Sequence, residues 1–289
     1  MKNYIITTDT TCDLPKEYLD KHNIRLLPLY YNMNGTVYGE DNVLEPKEFY
    51  NIMRGGALPT TMAVNPDLAR KVFTSLLAEG YDILHIAFSS ALSGSCSVST
   101  TVAREICEEQ PDSKITVIDS LCASLGEGLL VHKAVMLKEM GKTIDEVADW
   151  LENNKLKICH MFTVDDLHHL HRGGRVSKAA AIIGTLINVK PVLHVNNDGR
   201  LVPLNNVRGR KKALLSLVDQ MEARLKDSSI DNDIFFISHG DCLEDAEYVA
   251  DLVKDRFGIQ DSLIHYVSPT IGAHSGPGTV ALFFMGKER

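Results

Sequence analysis

The side chains best placed to do chemistry in this sequence are hydroxyls. Thr8-Asp9-Thr10-Thr11, Ser89 to Ser95 and Asp119-Ser120 each follow a short β-rich run. Pro59-Thr60-Thr61 precedes a helical pattern, and Gly272-Ala273-His274-Ser275-Gly276-Pro277-Gly278 joins the last two strand-like runs. Ser and Thr offer a donor and acceptors without fixed charge. Ser93-Gly94-Ser95 also opens a helical pattern, whose free N–H groups favour an anion. The set suits a carboxylate or a phosphate held by hydrogen bonds. Taken singly, each cluster reads as a cap or a turn. Their convergence at strand ends, where open α/β sheets bind ligands, favours a site.

Other chemistries are weaker. Ser93, His274 and Asp9 supply the residue types of a hydrolase triad, and chain order excludes no arrangement. The context Leu92-Ser93-Gly94-Ser95 is not the G-x-S-x-G elbow, so a lipid or ester hydrolase using Ser93 and His274 is the alternative reading. The glycine-rich segment 272–278 lacks the Lys-Ser/Thr of a phosphate loop, and no strand–GxGxxG–helix occurs; no cofactor is expected. His168, His169 and His171 lie beside Asp165 and Asp166, and helical spacing would let two of them ligate a metal. A polar helix face is the preferred reading, so no metal site is expected. His239-Gly240-Asp241 reads as a turn.

The elements that must position these residues alternate. Strands are expected over 3–8, 24–31, 83–88 and 115–119, with Pro28 marking an edge or a bulge. Asn65-Pro66 opens a helix whose apolar face is Leu68, Val72, Phe73, Leu76 and Leu77. Further helices run from the Ser93 loop to about Ile106 and from Leu125 to Met140, and Thr143 with Glu146 forms a capping box for the next. This βαβ pattern predicts a parallel sheet. After Lys155 the pattern changes: a strand (158–162), a short helix, Gly173-Gly174 and another helix lead to a hairpin around Asn196-Asn197-Asp198-Gly199. Helices over 212–226 and 244–256 and strands over 233–238, 263–267 and 279–285 follow. The expected architecture is α/β in two domains: residues 1–155, an α/β/α domain with a parallel sheet, and residues 156–289, an α/β domain with a mixed sheet, the ligand lying between or within them.

Composition bounds the function. The net charge of −8 argues against generic nucleic-acid binding. From Arg172 to Lys212 nine Lys/Arg face one acid, so that stretch is +8 and the rest of the chain −16. The stretch is either a solvated face or a docking surface for an acidic partner or an anionic membrane. The N-terminus does not read as a signal peptide, and no apolar run approaches the ~20 residues that span a bilayer. The six cysteines are scattered without a CxxC pair, which reads as reduced thiols in a cytoplasmic protein.

In combination the clusters are more specific. Thr8 to Pro15 resembles the T-D-S-T-x-D-L-P opening of the DegV family, with Thr10 in place of Ser. Pro59-Thr60-Thr61 resembles its P-T-T-S, from which Met62, Ala63 and Val64 depart. Ser90 to Ser95 is similar to S-x-L-S-G-T. Asp119-Ser120 with Ser124, Gly126 and Gly128, Leu170 with Gly173 to Ser177, Lys190-Pro191, Val207-Arg208-Gly209 and Ile271 to Gly278 resemble the remaining blocks, in family order along essentially the whole chain. The resemblance implies a two-domain fold that buries a long-chain fatty acid, with no catalysis of its own. It implies that Thr61, Ser93, Gly94 and Ser95 hold the carboxylate with His274 close by. A separate fatty acid kinase would make the acyl phosphate, feeding phospholipid synthesis, with Arg175 and Arg208 as candidates for docking that kinase. The apolar run Ala179 to Leu186 is an expected tunnel wall.

Overall fold

A computed structural model describes residues 3–40, 42–177, 188–226 and 232–289. Strands β1 (Tyr4–Asp9), β2 (Arg25–Leu27), β6 (Asp82–Ala87) and β7 (Ile115–Asp119) form a parallel sheet in the order β2-β1-β6-β7. Its two central strands, β1 and β6, are buried on both faces, as a parallel sheet requires. Ile5 and Ile83 pack against helices α3 (Pro66–Ala78) and α4 (Ser95–Glu109) through Phe73, Leu76, Val102 and Ile106. Ile6, Leu84 and Ile86 face the other way, towards α5 (Leu125–Glu139) and α6 (Ile144–Asn154). Asn65 caps α3 by accepting from the Asp67 and Leu68 N–H groups, and Thr143 with Glu146 closes the capping box of α6.

After a 3-10 turn at Lys155–Lys157 the chain enters a mixed six-stranded sheet. It contains β8 (Ile158–Thr163), β9 (Val189–Val195), β10 (Leu201–Arg208), β11 (Ile234–His239), β12 (Asp261–Tyr266) and β13 (Val280–Met285), in the order β10-β9-β8-β13-β11-β12. Only β11 and β12 pair in parallel among the described strands of this sheet. Helices α8 (Arg210–Leu225) and α9 (Leu243–Phe257), numbered after the short α7 (His168–Arg172), cover one face through Leu217, Val218 and Val249. The opposite face, with Phe162, Leu193, Phe236 and Phe283, packs on α5. One apolar cluster therefore runs across the division expected near residue 155, and α5 is shared by both sheets. Gly126 makes the close approach possible, because a Cβ there would collide with the His160 ring.

Three features depart from expectation. Pro28 does mark an edge, but the single strand expected over 24–31 is two: β2 ends at Leu27 as an edge strand, and β3 (Tyr30–Met33) joins β4 (Thr36–Tyr38) and β5 (Thr60–Met62) in a separate antiparallel sheet. This flap carries α2 (Pro46–Arg54) and packs through Tyr31, Phe49, Tyr50 and Met53 on Val267 and Ala273. The glycine-rich segment near the C-terminus is not a plain loop, for Pro269–Ser275 form helix α10 with His274 in its last turn. A short helix α1 (Lys16–Lys21) also precedes β2. The helix expected after Gly174, with the run Ala179 to Leu186, lies outside the described residues.

Asp13 ties these parts together. It is buried at φ 55°, its carboxyl shares a hydrogen bond with Ser124 Oγ ahead of α5, and its Oδ1 accepts from Ser268 N ahead of α10 at 3.1 Å. Burial pushes its pKa up to about 7, against the lowering effect of those bonds. The folded state thus holds the proton more tightly than the unfolded chain. The stabilisation is complete below about pH 4 and is lost as pH rises towards 7. Asp13→Asn keeps an acceptor for Ser268 and offers Ser124 a donor. It should resist denaturant better than the parent at pH 8, by a few kcal/mol at most, with the gap closing below about pH 4. A variant less stable than the parent at pH 8 would show that the ionised form is the favoured one.

Candidate functional site

The cavity of interest lies between the inner face of the six-stranded sheet, the N-terminal end of α5, the flap and α10. Strand register explains its floor. Val280 pairs with Thr163, Ala281 with Phe162 and Phe283 with His160, so Ala281, Phe283, Phe162 and His160 point to one face and line the cavity. Val195 and Leu201, directly opposed across the hairpin, extend the wall, and Leu29, Phe88 and Leu92 close it from the parallel-sheet side. This lining is largely apolar.

At one end the lining turns polar. Thr61 on β5, Ser93 and Gly94 before α4, and His274 on α10 all face the cavity. Thr61 Oγ1 and His274 Nε2 share a hydrogen bond of 2.8 Å. Desolvation, with Arg175 and Arg172 nearby, lowers the His274 pKa to about 4, so the imidazole is neutral at physiological pH. Its Nδ1 has no partner among the described residues. The ring lies against Gly173, where a Cβ would strike Nδ1, which accounts for glycine after Arg172.

Ser95 departs from expectation. It is fully buried and does not line the cavity; it stands behind Ser93. Its Oγ accepts from Val64 N at 3.2 Å and lies 2.9 Å from Ser93 Oγ, while its own N–H donates to Ser93 Oγ at 3.2 Å. A residue that opens a helix points its side chain back over the preceding turn, here towards Ser93 and the flap. The hydrolase arrangement is not formed either. His274 bonds Thr61 rather than Ser93, and Asp9 accepts from Phe88 N at 2.8 Å beside His85, inside the parallel-sheet domain.

The two arginines expected at a docking surface differ. Arg175 is half-buried and lines the cavity; its guanidinium donates to Leu92 O at 2.9 and 3.1 Å and to Gly173 O. Arg208 is exposed at the end of β10. The carboxylate considered for a metal is held by cations: Asp165 Oδ1 lies 2.7 Å from Lys190 Nζ and 3.5 Å from Arg210.

Beneath the cavity sits a buried acid that sequence reasoning passed over. Glu127, in the first turn of α5, is fully buried. Burial first, and then the neighbouring Asp9, push its pKa well up. Thr8 Oγ1 has one proton but lies 2.8 Å from Ile86 O and 2.9 Å from Glu127 Oε1. A protonated Glu127 resolves this by donating to Thr8. The signal available in the sequence was a glutamate between Gly126 and Gly128, just ahead of the apolar run Leu129 to Val131.

No helix among the described residues is long and apolar enough to cross a membrane. The family model of the DegV family, described as uncharacterised proteins, matches residues 3–287. A DegV domain-containing protein of Clostridium perfringens is 43% identical over 291 residues, covering 100% of this chain and 99% of its own. The solved structure of a fatty-acid-binding DegV family protein from Thermus thermophilus is similar with a TM-score of 0.88 at 28% identity, covering 99% of this chain and 100% of its own. That of a stearic-acid-binding protein from Eubacterium ventriosum gives 0.89 at 25% identity, covering 98% of each chain. From its first strand to its last, this chain belongs to the DegV family.

Proposed function

We propose that this protein binds a long-chain fatty acid in the cavity between its sheets and presents the carboxyl group, at the Thr61–Ser93–His274 end, to a separate fatty acid kinase for acyl phosphate formation. The observation that carries the reading is the make-up of the cavity: a largely apolar lining with Thr61, Ser93 and one neutral imidazole grouped where a carboxyl group would sit. The fatty-acid-binding relatives from Thermus thermophilus and Eubacterium ventriosum support it.

Burying ~15 methylenes at ~0.8 kcal/mol each gives a gross driving force of roughly 12 kcal/mol. Ordering costs reduce it. A carboxylate taken from water must recover its hydrogen bonds. With the His274 proton on Nε2, the imidazole donates to Thr61 Oγ1 and turns the Thr61 proton towards the ligand. With Ser95 donating to Ser93, the Ser93 proton is free in the same way. Gly94 adds no side chain where the ligand head must fit. The protein supplies binding and orientation, and the chemistry of phosphoryl transfer belongs to its partner.

Small molecules released by denaturing the purified protein should include a near-stoichiometric fatty acid, read by mass spectrometry. A protein that emerges empty and binds no added fatty acid would remove the reading. Ser93→Ala should weaken fatty-acid affinity roughly tenfold to a hundredfold, the range for a hydrogen bond to a charged group. Unchanged affinity would place the carboxylate elsewhere.

The two arginines separate binding from docking. Arg208→Glu should slow acyl phosphate formation by a cognate kinase and leave the bound fatty acid in place. Arg175→Glu, which breaks the ties to Leu92 and Gly173 in the cavity wall, should also change lipid retention. Kinase rates unaltered by Arg208→Glu would mean that this end of the basic stretch is a solvated face.

A further inference from the structure

The cavity has a second polar region that the carboxyl group does not use. Thr11, Ser124, Ser238, Thr270, Ser275 and Thr279 all line it, and all are buried. Strand register places this region. Across the six-stranded sheet the inward residues run from Leu201 and Val195 on β10 and β9, through Phe162 and Ala281, to Ser238 on β11, which pairs opposite Ala281. The apolar end is thus at the hairpin and the hydroxyl end at β11.

These hydroxyls are linked. Ser124 Oγ shares hydrogen bonds with Asp13 and, at 2.7 Å, with Ser238 Oγ. Thr11 Oγ1 lies 3.0 Å from Glu127 Oε2. Thr279 Oγ1 donates its proton among the Ser275 and Gly276 carbonyls, at 3.1 and 2.9 Å. Ser275 Oγ, about 5% exposed, has no partner among the described residues.

We infer that this hydroxyl-lined arm receives a hydroxyl group on the acyl chain, close to its carboxyl end, so that a 3-hydroxy acid is taken in preference to the unsubstituted acid. The inference rests on the fatty-acid reading of the same cavity. Proton order decides the chemistry. When Asp13 is protonated it donates a hydrogen bond to Ser124, Ser124 donates to Ser238, and the Ser238 proton is left for the cavity. When Asp13 is ionised the order reverses and Ser238 offers a lone pair. Ser275 has both a proton and lone pairs unused. In either order the lining hydroxyls themselves carry no charge, and with Ser275 they present donor and acceptor together, which a hydroxyl matches. A second carboxylate would face the carboxyl groups of Asp13 and Glu127 behind the hydroxyls, and a bare methylene would leave Ser275 unbonded in a dry site.

Position along the chain follows from α10. Thr270 and His274 are four residues apart on one helical face, ~6 Å along the axis, and Ser275 directly follows His274. The arm therefore begins within a few bonds of the carboxyl group, not at the far end of the chain.

The test is equimolar competition of hexadecanoic and 3-hydroxyhexadecanoic acid for the delipidated full-length protein, with bound ligand quantified by mass spectrometry. The hydroxy acid should be enriched about tenfold, the value of one good hydrogen bond. Ser275→Ala and Ser238→Ala, made separately so that one misfolded variant does not decide the matter, should each pull the ratio towards parity. With 12-hydroxyoctadecanoic against octadecanoic acid the enrichment should be absent. Parity in the parent protein, or an enrichment that survives both substitutions, overturns the inference and leaves the arm to ordered water, with fatty-acid binding intact. Failure of both acids to bind removes the fatty-acid reading along with it.

Discussion

Helix α5 has no solvent-facing side over most of its length, and the rest of the molecule is arranged around it. None of the residues from Leu125 to Lys138 is exposed. A helix with apolar residues on every face is stable only if it is covered all round. The parallel sheet covers one side and the mixed sheet the other. Two sheets held apart by a helix meet imperfectly where the helix begins, and the cavity lies there, beside Ala123 and Ser124. Glycine at position 126 lets the helix start close against His160. The position of the cavity is thus a consequence of how the two sheets share one helix.

A cavity in such a place has to solve a polar problem, because strand ends and helix starts bring hydroxyls, amides and carboxyls out of water. Most of the protein's own polar groups there are paired in advance. Ser95 is held by Val64 N and holds Ser93; His274 is held against Thr61; Asp13 links the starts of α5 and α10. Burial keeps His274 and His160 neutral by pushing them down and pushes Glu127 well up, while Asp13, raised to about 7, stands between its two forms at neutral pH. The groups at the Thr61–Ser93–His274 end are thus uncharged hydroxyls and an imidazole, and the cation that lines the same cavity, Arg175, is tied to the Leu92 and Gly173 carbonyls. Ser93 is paired with Ser95 and the His274 imidazole with Thr61, so the imidazole does not stand as a base against Ser93.

How much of this was legible in the sequence depended on whether the deciding interaction was local. The helix at Asn65-Pro66, the capping box at Thr143 and the hairpin at Asn196 to Gly199 are set by neighbours a few residues apart, and they stand where the pattern put them. The flap has a local signal too, one that the strand pattern alone passes over: Asn34-Gly35, at φ 53° and 88°, turns Met33 back onto Thr36 and sets Tyr31 opposite Tyr38. Helix α10 was read as a loop because its glycines outweighed Pro269 at the first helical position. Ser95 was out of reach for a different reason. Its motif says that a hydroxyl is needed, but only the flap, bringing Val64 N within 3.2 Å from 31 positions away, decides that it turns from the cavity and serves Ser93. Arg175 follows the same logic: a basic stretch predicts an outward charge, and the Leu92 carbonyl, 83 positions away, draws the guanidinium inward. Side-chain direction at a site assembled from three sheets is fixed by groups distant in the chain, so a motif can name the residues of such a site before it can say which of them faces the ligand.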